Sequence, residues 1–187
     1  MAGALALLLG ACQTSGASKS PAAVARAGAP SADWTTLPAV PAALAVPPGA
    51  TLKLHAHGAG VQIYVCTAGA WVLEAPDAKL FDASGAQSGT HGAGPTWSAN
   101  DGSAVVAKKV ADSPAPAPDA IAWLLLQATS NRGAGTFADV TYIQRLGTRG
   151  GKARADGCNA GAQGTTREVS YTAEYYFYGG SPAPVPH

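Results

Sequence analysis

Short alternating runs, each closed off by glycine or proline, constrain this chain more than anything else in it. Thr51–His57 reads TLKLHAH, with Leu52, Leu54 and Ala56 on one face and Lys53, His55 and His57 on the other. That period of two belongs to a half-buried strand and not to a helix. After Gly60, Val61–Thr67 (VQIYVCT) repeats the pattern, with Val61, Ile63 and Val65 on one side. Trp71–Glu74 and Lys79–Asp82 are further short strands separated by Pro76, and Ala83–Gly89 is a turn cluster. Ser103–Val110, Phe137–Leu146 and Arg167–Tyr178 add three more, and Ala111–Asp119 is a proline-rich loop. Ile121–Ser130 (IAWLLLQATS) reads as a central strand, with helix open as the rival for an apolar run of that length.

Glycine and proline, 23 and 14 of the 187 residues, favour many turns over long helices. The expected architecture is a single all-β domain, a β-sandwich or barrel of about 8–10 short strands. With its ends set aside, the chain leaves one domain of roughly 130–140 residues, enough for a hydrophobic core. Charged residues are only 12% and the formal net charge is +1. That balance offers no electrostatic footprint for nucleic acid and no basic stripe for anionic lipid.

The three cysteines divide into one and two. Met1–Ala11 (MAGALALLLGA) holds a short apolar core with small residues before Cys12, the outline of a secretory signal. Leu9-Gly10-Ala11-Cys12 resembles a bacterial lipobox, in which the cysteine is acylated and becomes the new N-terminus. No Lys or Arg precedes the apolar run, so an ordinary signal with an incidental cysteine, or a start codon placed too far downstream, stays open. The run is well short of the ~20 residues that span a bilayer. Residues 12–46, rich in Ala, Ser, Pro and Gly, read as a flexible tether, 47–178 as the β domain, and 179–187 as a frayed tail. Gln13 after the cysteine is compatible with the outer membrane of a Gram-negative host.

Cys66 and Cys158 fall inside the β domain. Outside the cytoplasm two such cysteines usually pair. The bridge would close a loop of about 90 residues, worth up to ~4–5 kcal/mol in the chain-entropy model. A thiolate metal site or a reactive thiol is the alternative, though neither cysteine lies in a Cys-x-x-Cys motif.

Several segments occur in a telling order: Val61–Cys66, Gly89–Ser103 (GTHGAGPTWSANDGS), Ile121–Leu126, Tyr142–Gly151, Gly157-Cys158 and Tyr171–Tyr178. Over Pro47–Tyr178 the chain resembles the family known as domain of unknown function 3455, found in bacterial secreted proteins and in fungi. The Gly-Pro-Thr-Trp…Asp-Gly-Ser block is the specific part. The resemblance implies a secreted setting and no transferable activity. Some fungal members carry the name malate dehydrogenase, but this chain has no strand–Gly-x-Gly-x-x-Gly–helix unit for a dinucleotide.

Two constellations are candidates for function. His55 and His57, two apart on a strand, can point the same way and reach one ion, with His91 as third ligand if its loop folds over; Zn or Cu would suit, and a solvated polar face beside Lys53 is the plain alternative. His91, Trp97, Asn100, Asp101 and Ser103 gather an imidazole, an aromatic face and hydrogen-bonding groups, a mixture that suits a polar ligand or a sugar. The plain reading there is a tight turn, a core tryptophan and a hairpin at Asp101-Gly102. No Gly-x-Ser-x-Gly elbow is present, and Gly147–Lys152 (GTRGGK) lacks the spacing of a phosphate loop. The tyrosines of 171–178 read as packing, with Tyr171 and Tyr175 on one face. The expected protein is a lipid-anchored cell-envelope domain, a non-catalytic binding or structural module for a polar ligand, glycan or partner protein. The alternative is a Cu- or Zn-binding oxidoreductase-like enzyme using His55, His57 and His91.

Overall fold

Thr51–His57 and Val61–Thr67 join into one 17-residue strand, β1 (Thr51–Thr67). They can do so because the glycines between them leave room for their neighbours. A Cβ on Gly58 would stand 2.5 Å from the Tyr175 ring, and one on Gly60 2.5 Å from the Ala78 Cα. In the computed structural model, which describes residues 39–180, seven more strands follow: β2 (Ala70–Phe81), β3 (Gln87–Gly92), β4 (Thr96–Ala99), β5 (Ala104–Ser113), β6 (Trp123–Arg132), β7 (Val140–Gly150) and β8 (Thr166–Gly179). Each pairs antiparallel with the next, and β8 returns to β1, so the sheet closes into an eight-stranded up-and-down barrel. Closure removes the free sheet edges that an open meander would expose.

The eight strands fall within the expected 8–10, but several are longer than the runs read from the sequence, because the gaps between those runs are bridged. Trp71–Glu74 and Lys79–Asp82 belong to one strand that carries Pro76 through it, with a register shift opposite Ile63/Tyr64. The ambiguous apolar run is a strand, β6. A bulge between Leu52 and Leu54 sends these two leucines to opposite sides, and another between Val140 and Tyr142 does the same on β7.

Inside the barrel, Leu80, Trp97, Val105, Leu126, Phe137, Ile143, Tyr175 and Phe177 form the main core. Phe137 closes the end of the barrel where the turns 100–103 and 133–139 lie. On the outside, Leu125, Tyr142, Leu146, Tyr176 and Tyr178 form a second apolar patch, covered by the segment leading into β1. That segment makes a 3-10 turn at Ala42–Leu44, buries Leu44 completely, and gives the Leu44 carbonyl to Gln144 Nε2 at 2.6 Å. The stretch expected as tether is thus packed onto the barrel in its last residues, and Gly179, expected in the tail, ends β8. The signal, Cys12 and most of the tether, and residues 181–187, lie outside the described residues.

Candidate functional site

The barrel wall is uneven, and the unevenness makes the site. Pairing of β2 with β3 ends at Ala78↔His91, and that of β4 with β5 at Thr96↔Val106. Beyond those points β2 continues against β1 alone and β5 against β6 alone. The short β3–β4 hairpin therefore leaves a notch above Gly94 and Pro95. Pro76 sits on the stretch of β2 that lacks a second neighbour, where a missing N–H disrupts least.

A cavity of about 710 Å³ opens at this notch, within the size range of small-molecule sites. Leu73, Ala75, Pro76, Pro95, Leu124 and Leu126 give it apolar walls, and the proline-rich loop with Pro114 and Pro118 forms part of its rim. Gln62, His91, Trp97 and Arg145 supply its polar groups. The rim also carries Glu74, Lys152 and the ion pair of Lys109 with Asp112 at 2.7 Å.

Arg145 lies on β7 two residues beyond the core residue Ile143. Its Nε and Nη2 donate to the Ala122 carbonyl at 3.2 and 2.8 Å. Burial lowers its pKa from the ordinary value, against the pull of the Tyr175 and Tyr171 hydroxyls beside it. Those hydroxyls lie 3.2 Å apart, and burial pushes both phenols up, so they stay neutral. His91 donates from Nδ1 to the Thr96 carbonyl at 2.9 Å and stacks on Trp97. Burial lowers its pKa to about 4, so the imidazole is neutral at pH 7. Two nitrogens buried in the wall, Gln62 Nε2 and Trp97 Nε1, make no well-formed hydrogen bond among the described residues, although Gln62 lies beside the Tyr171 hydroxyl.

The cavity end of the barrel is braced from one side. Cys66 and Cys158 form a disulfide, as expected. It holds the loop between β7 and β8 against the end of β1, where Cys66 and Thr165 also share a backbone hydrogen bond. Tyr64 donates its hydroxyl to the Gly151 carbonyl at 2.7 Å, and Arg167 covers the Trp71 ring.

A family model described as a protein of unknown function (DUF3455) matches residues 47–179. The chain belongs to the DUF3455 family. No curated protein and no solved structure matches it. The matched DUF3455 region contains the whole barrel, both bridged cysteines and every polar group of the cavity.

The sequence block expected to act together is divided by the DUF3455 barrel. His91 and Trp97 line the cavity, whereas Asn100, Asp101 and Ser103 lie in the turn at the opposite end of β4. Asp101 accepts from the backbone and hydroxyl of both Ser103 and Thr136, at 2.6–2.8 Å. Ser103 Oγ in turn accepts from the Phe137 N–H, and Asn100 donates to the Gln87 carbonyl. These groups fasten the closed end of the barrel.

His55 and His57 do come together, on the outer face of β1, and Glu174 clasps both: Oε2 lies 2.7 Å from His55 Nε2 and Oε1 2.8 Å from His57 Nδ1. The Glu174 hydrogen bond raises the His57 pKa against its partial burial. Burial alone would raise Glu174, but the two histidines outweigh it and hold it below its usual range. His55 stacks on Tyr176 and is only 7% exposed, so this face is not simply solvated. His91, on the inner face of β3, is not part of the clasp, and among the described residues no group of three His, Cys, Asp or Glu side chains is arranged to hold a metal ion.

Sequence reasoning missed Gln62 and Arg145. The signal was a polar set, Gln62, Tyr64 and Cys66, alternating with Val61, Ile63 and Val65 on β1. The valines and isoleucine invite the inner face, yet Gln62, Tyr64 and Cys66 are the buried set.

Proposed function

We propose that this protein is a non-catalytic binding module whose ligand enters the notched mouth of the barrel, held at the cell envelope through an acylated Cys12. The observation that carries the binding reading is the 710 Å³ cavity, apolar in its walls and with the Arg145 guanidinium in its lining. A barrel needs its interior filled to be stable. An interior left open and lined with polar groups at one end is the arrangement of a binding site.

The lining narrows the ligand. A sugar site presents a tryptophan face to solvent, but Trp97 is 1% exposed and one of its faces is covered by His91. A small molecule with an apolar body fits these walls better than a glycan. The disulfide-braced loop and the lipobox-like Leu9–Cys12 support the extracytoplasmic setting.

The test is a thermal-shift screen of small molecules against the protein and a Leu124→Trp variant, which fills the cavity from its wall. A ligand of this site raises the wild-type melting temperature and leaves the variant unmoved. Equal shifts in both proteins, or no shift for any compound, would overturn the assignment. Fatty-acid labelling of the expressed chain beside Cys12→Ser tests the anchor; equal label in both removes it.

A further inference from the structure

The cavity has a charge imbalance at its inner side. Arg145 is the cation of that interior, and among the described residues no carboxylate forms an ion pair with it. Tyr171 and Tyr175 stand beside it as neutral phenols. The Ala122 carbonyl takes two of the five N–H donors of the guanidinium and the Tyr175 hydroxyl a third, which leaves two for a ligand. Gln62 and Trp97 line the same cavity, but their side-chain nitrogens are buried in its wall, with Gln62 turned toward the Tyr171 hydroxyl, so the guanidinium is the charged group that wall offers.

We propose that the cavity binds a small monocarboxylate, its carboxylate on the Arg145 guanidinium and its apolar body against Leu73, Pro76, Leu124 and Leu126. This rests on the reading of the mouth as a ligand site and names the group that site recognises. A planar guanidinium and a carboxylate pair through two parallel hydrogen bonds, which fixes orientation as well as affinity. One negative charge is the right number. At the rim Lys109 is paired with Asp112, and Lys152 and Glu74 cancel in the count of charges, so the lining carries one net positive charge, with Arg145 its innermost cation. A dianionic phosphate would exceed that single net positive charge.

Calorimetric titration of the protein with matched pairs decides it: hexanoate, octanoate, decanoate and benzoate, each against the primary alcohol of the same carbon skeleton. Each acid is expected to bind at least about tenfold tighter than its alcohol. Arg145→Gln brings the acid down to the alcohol's affinity, Arg145→Lys keeps part of the difference, and Leu124→Trp abolishes binding of both. Acid and alcohol binding equally to the wild type would overturn the carboxylate assignment while leaving the binding reading standing. Tighter binding of octyl phosphate than of octanoate would overturn the charge count. Binding of no acid and no alcohol would remove both readings. Circular dichroism of each variant is read alongside; should Arg145→Gln fail to fold, the wild-type acid-to-alcohol ratio and Arg145→Lys still decide.

Discussion

His91 and Trp97 lie face to face on neighbouring strands, their ring centroids 4.2 Å apart and their planes 9° apart. Tyr175 meets both edge-on from β8. The contact fixes the indole as cavity wall, and it encloses the imidazole where a proton is poorly tolerated.

That enclosure predicts a pH dependence. The His91 pKa falls from 6.5 in the open chain to about 4 in the fold, through burial first and the nearby Arg145 charge in addition. Between those values the unfolded chain takes up a proton that the folded protein refuses. The contribution of His91 is whole above pH 6.5 and shrinks as pH falls toward 4, by on the order of 3 kcal/mol at most. In His91→Phe, which keeps the stacking, chemical denaturation should show a shallower loss of stability over that window. The same slope as wild type would count against the buried neutral imidazole.

The closed end of the barrel depends on Asp101. Four hydrogen bonds from Ser103 and Thr136 hold its carboxylate well below the usual range. A lowered carboxylate stabilises the fold above its unfolded pKa and stops doing so as pH falls through the folded value. Asp101→Ala should lower the melting temperature at pH 7 and lose most of that difference in strong acid. Ligand affinity at the far mouth should stay within about twofold, because the sites are distant and share no partner.

Loss of the disulfide should act on the mouth. Cys66→Ser/Cys158→Ser opens a loop spanning 92 residues. The expected cost is about 2–5 kcal/mol, read as a lower denaturation midpoint. Limited proteolysis should then cut first in the loop between β7 and β8. Cleavage elsewhere, with that loop still protected, would show that Tyr64–Gly151 and the β1 backbone contacts suffice to hold it.

Gly58 should tolerate no larger side chain. Its Cβ would enter the ring of Tyr175, which is wholly buried. Gly58→Val is expected to cost roughly 1–3 kcal/mol or more as overpacking. Pairing it with Tyr175→Ala should recover part of the loss in a double-mutant cycle, and simple additivity would place the strain elsewhere.

Alternation with glycine and proline between the runs determined the all-β class, because side chains of a strand must divide between two faces whatever the rest of the chain does. The two inner cysteines and the order of the DUF3455 segments were legible in the same way. The sequence also put His55 and His57 on one face, and Tyr171 with Tyr175 on another.

Tertiary structure alone decided which face was inside. On β1, Val61, Ile63 and Val65 advertise a core, but the register of closure with β8 turns Gln62 and Tyr64 inward instead and leaves the apolar side chains on the outer wall. Arg145 carries no local mark in YIQRL; it becomes a cavity cation only because β7 curves into a closed sheet and the β3–β4 hairpin stops short beside it. His91 and Asp101 are ten positions apart in the chain, yet the length of β4 sends one to the open mouth and the other to the sealed end. Strand periodicity is local physics and can be read from residues. Barrel closure, register and wall height are sums over all eight strands, and they set what the interior holds.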